Sequence, residues 1–149
     1  MVQTRPERPD DEVVRSGKDS DLPTIEPETQ PFWDGAAEEK LVIQRCGSCG
    51  AWQYYPRPFC KACWSEDVSW AEASGEGTLY TFSIVRRNDL PPFGDRVPYV
   101  AAIVDLVEGP RMISEVVDCE LDDVRIGMAL TVAYRDLADG LKLPVFRPA

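Results

Sequence analysis

The sequence predicts a mainly β protein built in two parts. Period-2 alternation of apolar and polar residues fills the C-terminal half, from Gly77 onward. Two Cys-x2-Cys pairs sit close together in the first half, at Cys46/Cys49 and Cys60/Cys63. Thirteen prolines and ten glycines in 149 residues favour many short elements over long helices.

Residues 1–28 read as an acidic, flexible tail. The first 30 residues hold eight Asp/Glu against four Lys/Arg, and few apolar side chains offset the entropy of ordering them. Residues 29–45 read as a helix and a lead-in strand. Thr29 is placed to cap the helix and Pro31 falls in its first turn, where a missing N–H is harmless. Phe32, Trp33, Ala36 and Ala37 give that helix an apolar face, while Gly35 weakens it. Leu41–Arg45 then reads as a strand entering the first cysteine pair.

Residues 46–66 form the cysteine module. A Cys-x2-Cys pair folds as a knuckle that points two sulfurs at one spot, and two facing knuckles supply a tetrahedral four-sulfur shell. Gly47 and Gly50 suit the tight turn of the first knuckle; Lys61 and Ala62 stand inside the second. The chain has no histidine, so only an all-thiolate site is available. Structural zinc is the reading this donor set favours, although iron accepts the same four thiolates and dithiol redox chemistry uses single pairs. A closed four-sulfur site has no open position for a substrate. It is a structural device, needed because so short a segment cannot build its own core.

Residues 67–149 read as the barrel. Strands are expected at Val68–Ala73, Gly77–Arg87, Tyr99–Val107, Arg111–Val117, Leu130–Tyr134 and Leu143–Phe146, with one helical turn at Leu121–Arg125. In the second of these, Leu79, Thr81, Ser83 and Val85 alternate against Tyr80, Phe82 and Ile84. Pro144 limits the last strand to an edge or end position. This strand number and size fit a five-stranded OB-fold barrel, with an SH3-like barrel as the alternative that strand count alone does not separate.

Surface candidates follow from residue type. Trp52, Tyr54, Tyr55, Phe59, Trp64 and Trp70 are expected to cover the metal site and pack the ribbon on the barrel, or to anchor a partner. Arg57 lies between two prolines in the ribbon loop. The irregular stretch Asn88–Pro98 is the long loop between the first two barrel strands, a ligand-facing position in such barrels. Arg86, Arg87 and Arg96 supply local positive charge there, with Phe93 and Tyr99 beside them. Cys119 reads as a small buried hydrophobe; without a histidine partner it is a poor nucleophile.

Composition excludes whole classes. Without histidine, no catalytic triad, imidazole base or His-ligated metal is available. A formal charge of −10, and −4 for residues 75–149 taken alone, argues against nucleic-acid binding. The N-terminus lacks an apolar leader, and no run approaches a membrane span. The reading is a cytoplasmic, soluble protein with no membrane or nucleic-acid partner.

Taken together, Pro31–Gly35, Leu41–Gly50, Pro56–Cys60, Ser74–Tyr80, Pro98–Val100, Arg125–Met128 and Leu143–Ala149 resemble one known family. Its members join an N-terminal helix and rubredoxin-like zinc ribbon to an acyl-CoA-associated OB-fold, and they were long described as a domain of unknown function. All four cysteines of the family pattern are present. The resemblance implies a noncatalytic accessory subunit that binds and stabilises a thiolase-superfamily enzyme, such as a lipid-transfer-protein-like steroid side-chain aldolase. It implies that the chain helps shape the partner's acyl-CoA site and that the partner holds the catalytic residues. A MaoC-like enoyl-CoA hydratase is another partner of this family, and independent acyl-CoA binding is an alternative. Contact residues are expected among Trp52, Tyr55, Arg57, Arg86, Arg87, Phe93, Arg96 and Tyr99.

Overall fold

The computed structural model describes residues 22–149. Most of the expected tail 1–28 lies outside the described residues.

Helix α1 spans Gln30–Ala37, with Pro31 in its first turn. Thr29 occupies the N-cap position without capping the helix through its side chain. Its hydroxyl instead donates to the Glu26 carbonyl and accepts from the Glu26 N–H, closing the turn ahead of the helix. Within the expected apolar face, Ala36 is buried, Phe32 and Trp33 are half-buried and Ala37 is exposed. Gly35 has a packing role that helix propensity hides. A Cβ there would lie 2.5 Å from Val42 Cγ2, so bare backbone lets α1 close onto the strand that follows.

Strands β1 (Val42–Cys46), β2 (Trp52–Gln53) and β3 (Val68–Glu72) make an antiparallel sheet in the order β2-β1-β3. The strand expected at 68–73 therefore forms where the alternation placed it, but its partner is β1. Val42 to Cys46 pair in sequence with Glu72 back to Val68. Hydrogen bonding puts this strand in the ribbon sheet, although the reading by segments grouped it with residues 67–149.

Five strands close the barrel: β4 (Glu76–Val85), β5 (Tyr99–Leu106), β6 (Arg111–Val116), β7 (Ala129–Asp136) and β8 (Lys142–Pro148), in the order β4-β5-β6-β8-β7. The expected turn at Leu121–Arg125 is a short 3-10 turn at Leu121–Asp123, between β6 and β7.

Two details depart from simple alternation. A bulge in β4 shifts the register between Leu79 and Thr81, so two residues there oppose one on β5. The inward phase consequently moves from Leu79 to Phe82 and Ile84, which pack on the core, while Ser83 is exposed. The last strand is also longer than expected and completes the barrel instead of ending at an edge. It pairs with β7 over seven positions but with β6 at only one, Val116 to Phe146. Pro144 lies in that thin seam. It has no N–H to give, and its carbonyl accepts from the Ser114 hydroxyl at 3.0 Å.

One core joins the two parts. Leu41 and Ile43, from the residues entering and forming β1, belong to the same buried cluster as Leu79, Val104, Leu130 and Phe146. Phe32, Trp52 and Tyr54 pack against it from the helix and the ribbon. An ion pair from Lys142 Nζ to Glu39 Oε1 at 2.5 Å ties the segment after α1 to β8. Among the described residues, no helix is long and apolar enough to cross a membrane.

Candidate metal centre

Cys46 ends β1, and Cys49 follows it across a tight turn in which the Gly50 N–H donates to the Cys46 carbonyl at 2.9 Å. The second knuckle repeats this pattern: the Trp64 N–H donates to the Cys60 carbonyl at 2.9 Å. Sulfur of Cys46 accepts from the Cys49 N–H, and sulfur of Cys60 accepts from the Ala62 N–H at 3.3 Å. Such N–H donors stabilise thiolates.

The two knuckles face each other. Cys46 Sγ lies 3.6 Å from Cys63 Sγ, Cys49 Sγ lies 3.7 Å from Cys60 Sγ, and all four sulfurs fall within 4.8 Å of one another. A tetrahedral ion with metal–sulfur bonds of about 2.3 Å holds its sulfurs about 3.8 Å apart. The donor set thus fits one ion in a closed four-sulfur shell.

The electrostatics fit as well. Backbone N–H donation, chiefly from Cys49, brings the Cys46 thiol down to about 6. The N–H groups of Cys63 and Ala62 lower Cys60. At Cys63 the Ser65 N–H pulls downward, but the neighbouring sulfurs and burial outweigh it and push the thiol up to about 12. Four sulfurs this close cannot all ionise unless a cation compensates.

Support comes from residues that spacing did not single out. Gln44 and Gln53, on the ribbon strands, are buried. Gln53 donates to Gln44 Oε1 at 2.7 Å and to the Phe59 carbonyl at 3.2 Å, and accepts from the Lys61 N–H at 3.1 Å. Gln44 Oε1 also accepts from the Arg57 N–H at 2.9 Å. Two amides thus wire the loop that delivers the second knuckle. Their signal in the sequence was position: each lies on a ribbon strand close to the first knuckle. Ser48 and Ser65 join the knuckles directly, hydroxyl to hydroxyl at 2.8 Å.

The expected surface residues divide. Trp52 packs against the core with Arg45 over its ring, and Tyr54 packs there too. Tyr55 is exposed with the Arg57 guanidinium 5.8 Å from its ring centre. Trp64 is 73% exposed and stacks on Phe59. In and just before the long loop, Arg87 pairs with Asp89, Arg96 lies over the Phe93 ring and Arg86 is exposed. Tyr99 is half-buried and its hydroxyl accepts from the Asn88 side-chain amide. Cys119 packs against the barrel core.

Two family models divide this architecture between them. The ChsH2 rubredoxin-like zinc ribbon matches residues 33–69, and the C-terminal OB-fold domain of ChsH2 matches residues 70–135. A DUF35 domain-containing scaffold protein of Methanocaldococcus jannaschii is 34% identical over 102 residues, which is 66% of this chain and 70% of the relative. The chain belongs to the DUF35 family of ChsH2-type zinc-ribbon and OB-fold proteins.

Other members widen the picture of this DUF35 chain. A probable enoyl-CoA hydratase alpha subunit of Thermomonospora curvata is 38% identical over 119 residues, or 79% of this chain. The chain spans only 37% of that subunit's length. Among solved structures, a chain of the Ltp2-ChsH2(DUF35) aldolase matches with a TM-score of 0.76 and 35% identity, covering 85% of this chain and 98% of that one. The barrel is therefore the OB-fold and not the SH3-like alternative.

Proposed function

We propose that this DUF35 chain is a noncatalytic accessory subunit of an acyl-CoA enzyme, with a thiolase-superfamily protein as its partner. The observation that carries the reading is the match over 98% of a chain from a two-component aldolase, Ltp2-ChsH2(DUF35). Residue chemistry agrees: the chain has no histidine, and its one compact thiol cluster is closed around its own centre. Four thiolates in a tetrahedral arrangement suit zinc, which serves as a structural ion and supplies folding energy to the ribbon. The four ligands are Cys46, Cys49, Cys60 and Cys63. A reducing cytoplasm keeps these thiols available.

In this role the chain stabilises its partner and helps shape the site where the acyl-CoA thioester reacts. The partner's own residues make or break the carbon–carbon bond, with steroid side-chain retro-aldol cleavage as one such reaction. Contacts are drawn from Tyr55, Arg57, the long loop with Phe93 and Arg96, and the flanking residues Arg86, Arg87 and Tyr99. Co-expression with the cognate thiolase-like protein tests this. The two should elute as one complex at micromolar concentration; separate elution contradicts the reading.

A second reading makes the partner a MaoC-like enoyl-CoA hydratase. It is favoured by the 38% identity to a protein named as a hydratase alpha subunit. The identity of the copurifying enzyme separates the two.

A further inference from the structure

The thin seam between β6 and β8 opens into a groove. Because β6 and β8 share a single backbone pair at Val116 and Phe146, the barrel wall on the Pro144 side is held by the Ser114 hydroxyl on the Pro144 carbonyl in place of a ladder. A cavity of about 250 Å³ sits there. Its lining draws on three parts of the fold: Phe32 and Trp33 of α1, Tyr54 of the ribbon, and Ile113 and Pro144 of the barrel. The lining is mostly apolar.

Ile113 marks the rim. It is 75% exposed, the largest exposure among the large hydrophobic side chains of the described residues. Its register partner on β5 is Ile103, itself half-buried. Isolated surface hydrophobics need no explanation. Ile113 differs because it continues into an apolar groove walled by a helix and a ribbon as well as by its own barrel.

Charge limits what can sit there. Along β6, the charged residues on either side of Ile113 are Arg111 and Glu115. Arg111 binds Asp105 at 2.6 Å and lies over the Tyr80 ring; Glu115 binds Arg135 at 2.8 Å. Both charges flanking the rim are thus balanced within the chain. A phosphate or an acidic peptide would have to break these pairs, whereas an uncharged apolar surface leaves them intact. A small apolar ligand filling the groove would still leave the outward side of Ile113 in water.

We infer that this groove, with Ile113 at its rim, is the seat of the partner enzyme, which presents an uncharged apolar ridge to it. The inference rests on the accessory-subunit reading and adds the surface and its chemistry. The seat takes walls from both ribbon and barrel, which share one buried cluster. An apolar centre bordered by satisfied charges is the arrangement in which a few residues dominate binding.

The test uses the full chain in its native cells, with the photoreactive residue p-benzoylphenylalanine at position 113 or, separately, at position 126. Ile126 is also exposed but lies on the turn before β7. Crosslinked proteins are identified by mass spectrometry. An acyl-CoA enzyme subunit should be captured from position 113 and not from position 126. With the purified complex, Ile113→Asp should weaken association at least tenfold and Ile113→Val by less than about twofold, each keeping the parent's melting temperature. Capture from position 126 alone overturns the inference and leaves the accessory reading standing. Capture of a second copy of this chain, or of a lipid, at position 113 also overturns it. If no acyl-CoA enzyme is crosslinked or copurifies at all, the accessory reading falls and this inference with it.

Discussion

In the barrel, Leu79, Val104, Leu130 and Phe146 are sealed from solvent, whereas between Cys46 and Trp64 the only buried residues are Cys46, Gln53 and Cys60. The barrel interior is hydrocarbon; the ribbon interior is sulfur and amide. A hydrocarbon core forms because water expels it. Four clustered thiols and two buried amides gain nothing by that route, so the ribbon needs an ion and a complete hydrogen-bond set. The two parts share one packed boundary through Leu41 and Ile43, yet they should fail under different insults.

The largest expected effect is loss of the ion. Cys60→Ser should remove metal binding, a contribution on the order of 10–16 kcal/mol in comparable sites. Hydrogen exchange should show amides 46–66 unprotected while β5 keeps its protection. Protected ribbon amides in a metal-free Cys60→Ser chain would erase the contrast. Acid should act in the same direction. At neutral pH the metal-free ribbon holds Cys46 as thiolate, with its pKa brought down to about 6, and keeps the Cys63 proton, with its pKa pushed up to about 12. Metal uptake therefore releases protons, and falling pH returns them to sulfur and weakens binding. A zinc titration in weak buffer should acidify the solution, and affinity should fall as pH is lowered, more steeply below about 6, where the Cys46 proton must be displaced too, than above it.

The barrel responds to volume instead. Phe146→Ala should cost about 3–5 kcal/mol in denaturant unfolding, with metal content unchanged. Loss of metal in that variant would show that the ribbon leans on the barrel more than their interiors suggest. Gln53→Ala is intermediate, about 1–3 kcal/mol, because it leaves the Lys61 N–H and Gln44 Oε1 short of a partner. Its cost should appear as weaker zinc affinity, measured by competition with a chelator, and barely in barrel unfolding.

The smallest effect compares the knuckles themselves. Gly50 and Trp64 follow the second cysteine of their knuckles, and both hold left-handed backbone, at φ +76° and +65°. Gly50→Ala meets no atom within 4 Å of the new Cβ. Its cost is backbone strain alone, about 1 kcal/mol, read as a small fall in melting temperature. At Trp64 the same conformation is borne by a bulky residue, whose ring stacks on Phe59 with centroids 5.3 Å apart.

Much of the architecture was legible in the sequence, for reasons that differ by region. The metal centre was readable because cysteine spacing alone brings four sulfurs together. The barrel strands were readable because alternation has period two. Failures came where one backbone detail changed the phase or the partner. The bulge at Tyr80 brings Phe82 and Ile84 to the core side with Leu79, although unbroken alternation sets them on opposite faces. Val68–Glu72 alternates like a barrel strand, and nothing local says that it pairs with β1. Pro144 limits the last strand, on sequence grounds, to an edge or end position. It lies in a closed barrel, at a seam so thin that its missing N–H is tolerated, and that seam is where the groove opens. Gln44 and Gln53 escaped notice because an amide announces itself only through its partners.

The claim on which the account turns is that chemistry resides in a partner. The most direct measurement is an acyl-CoA turnover assay on this chain, on the copurified enzyme subunit, and on the two together, with native mass spectrometry on the mixture. The account predicts no turnover by this chain alone, a stoichiometric complex in the mixture, and an enzyme whose activity or stability rises when the chain is present. Turnover of an acyl-CoA ester by the isolated chain, or two proteins that stay separate at micromolar concentration, would contradict it.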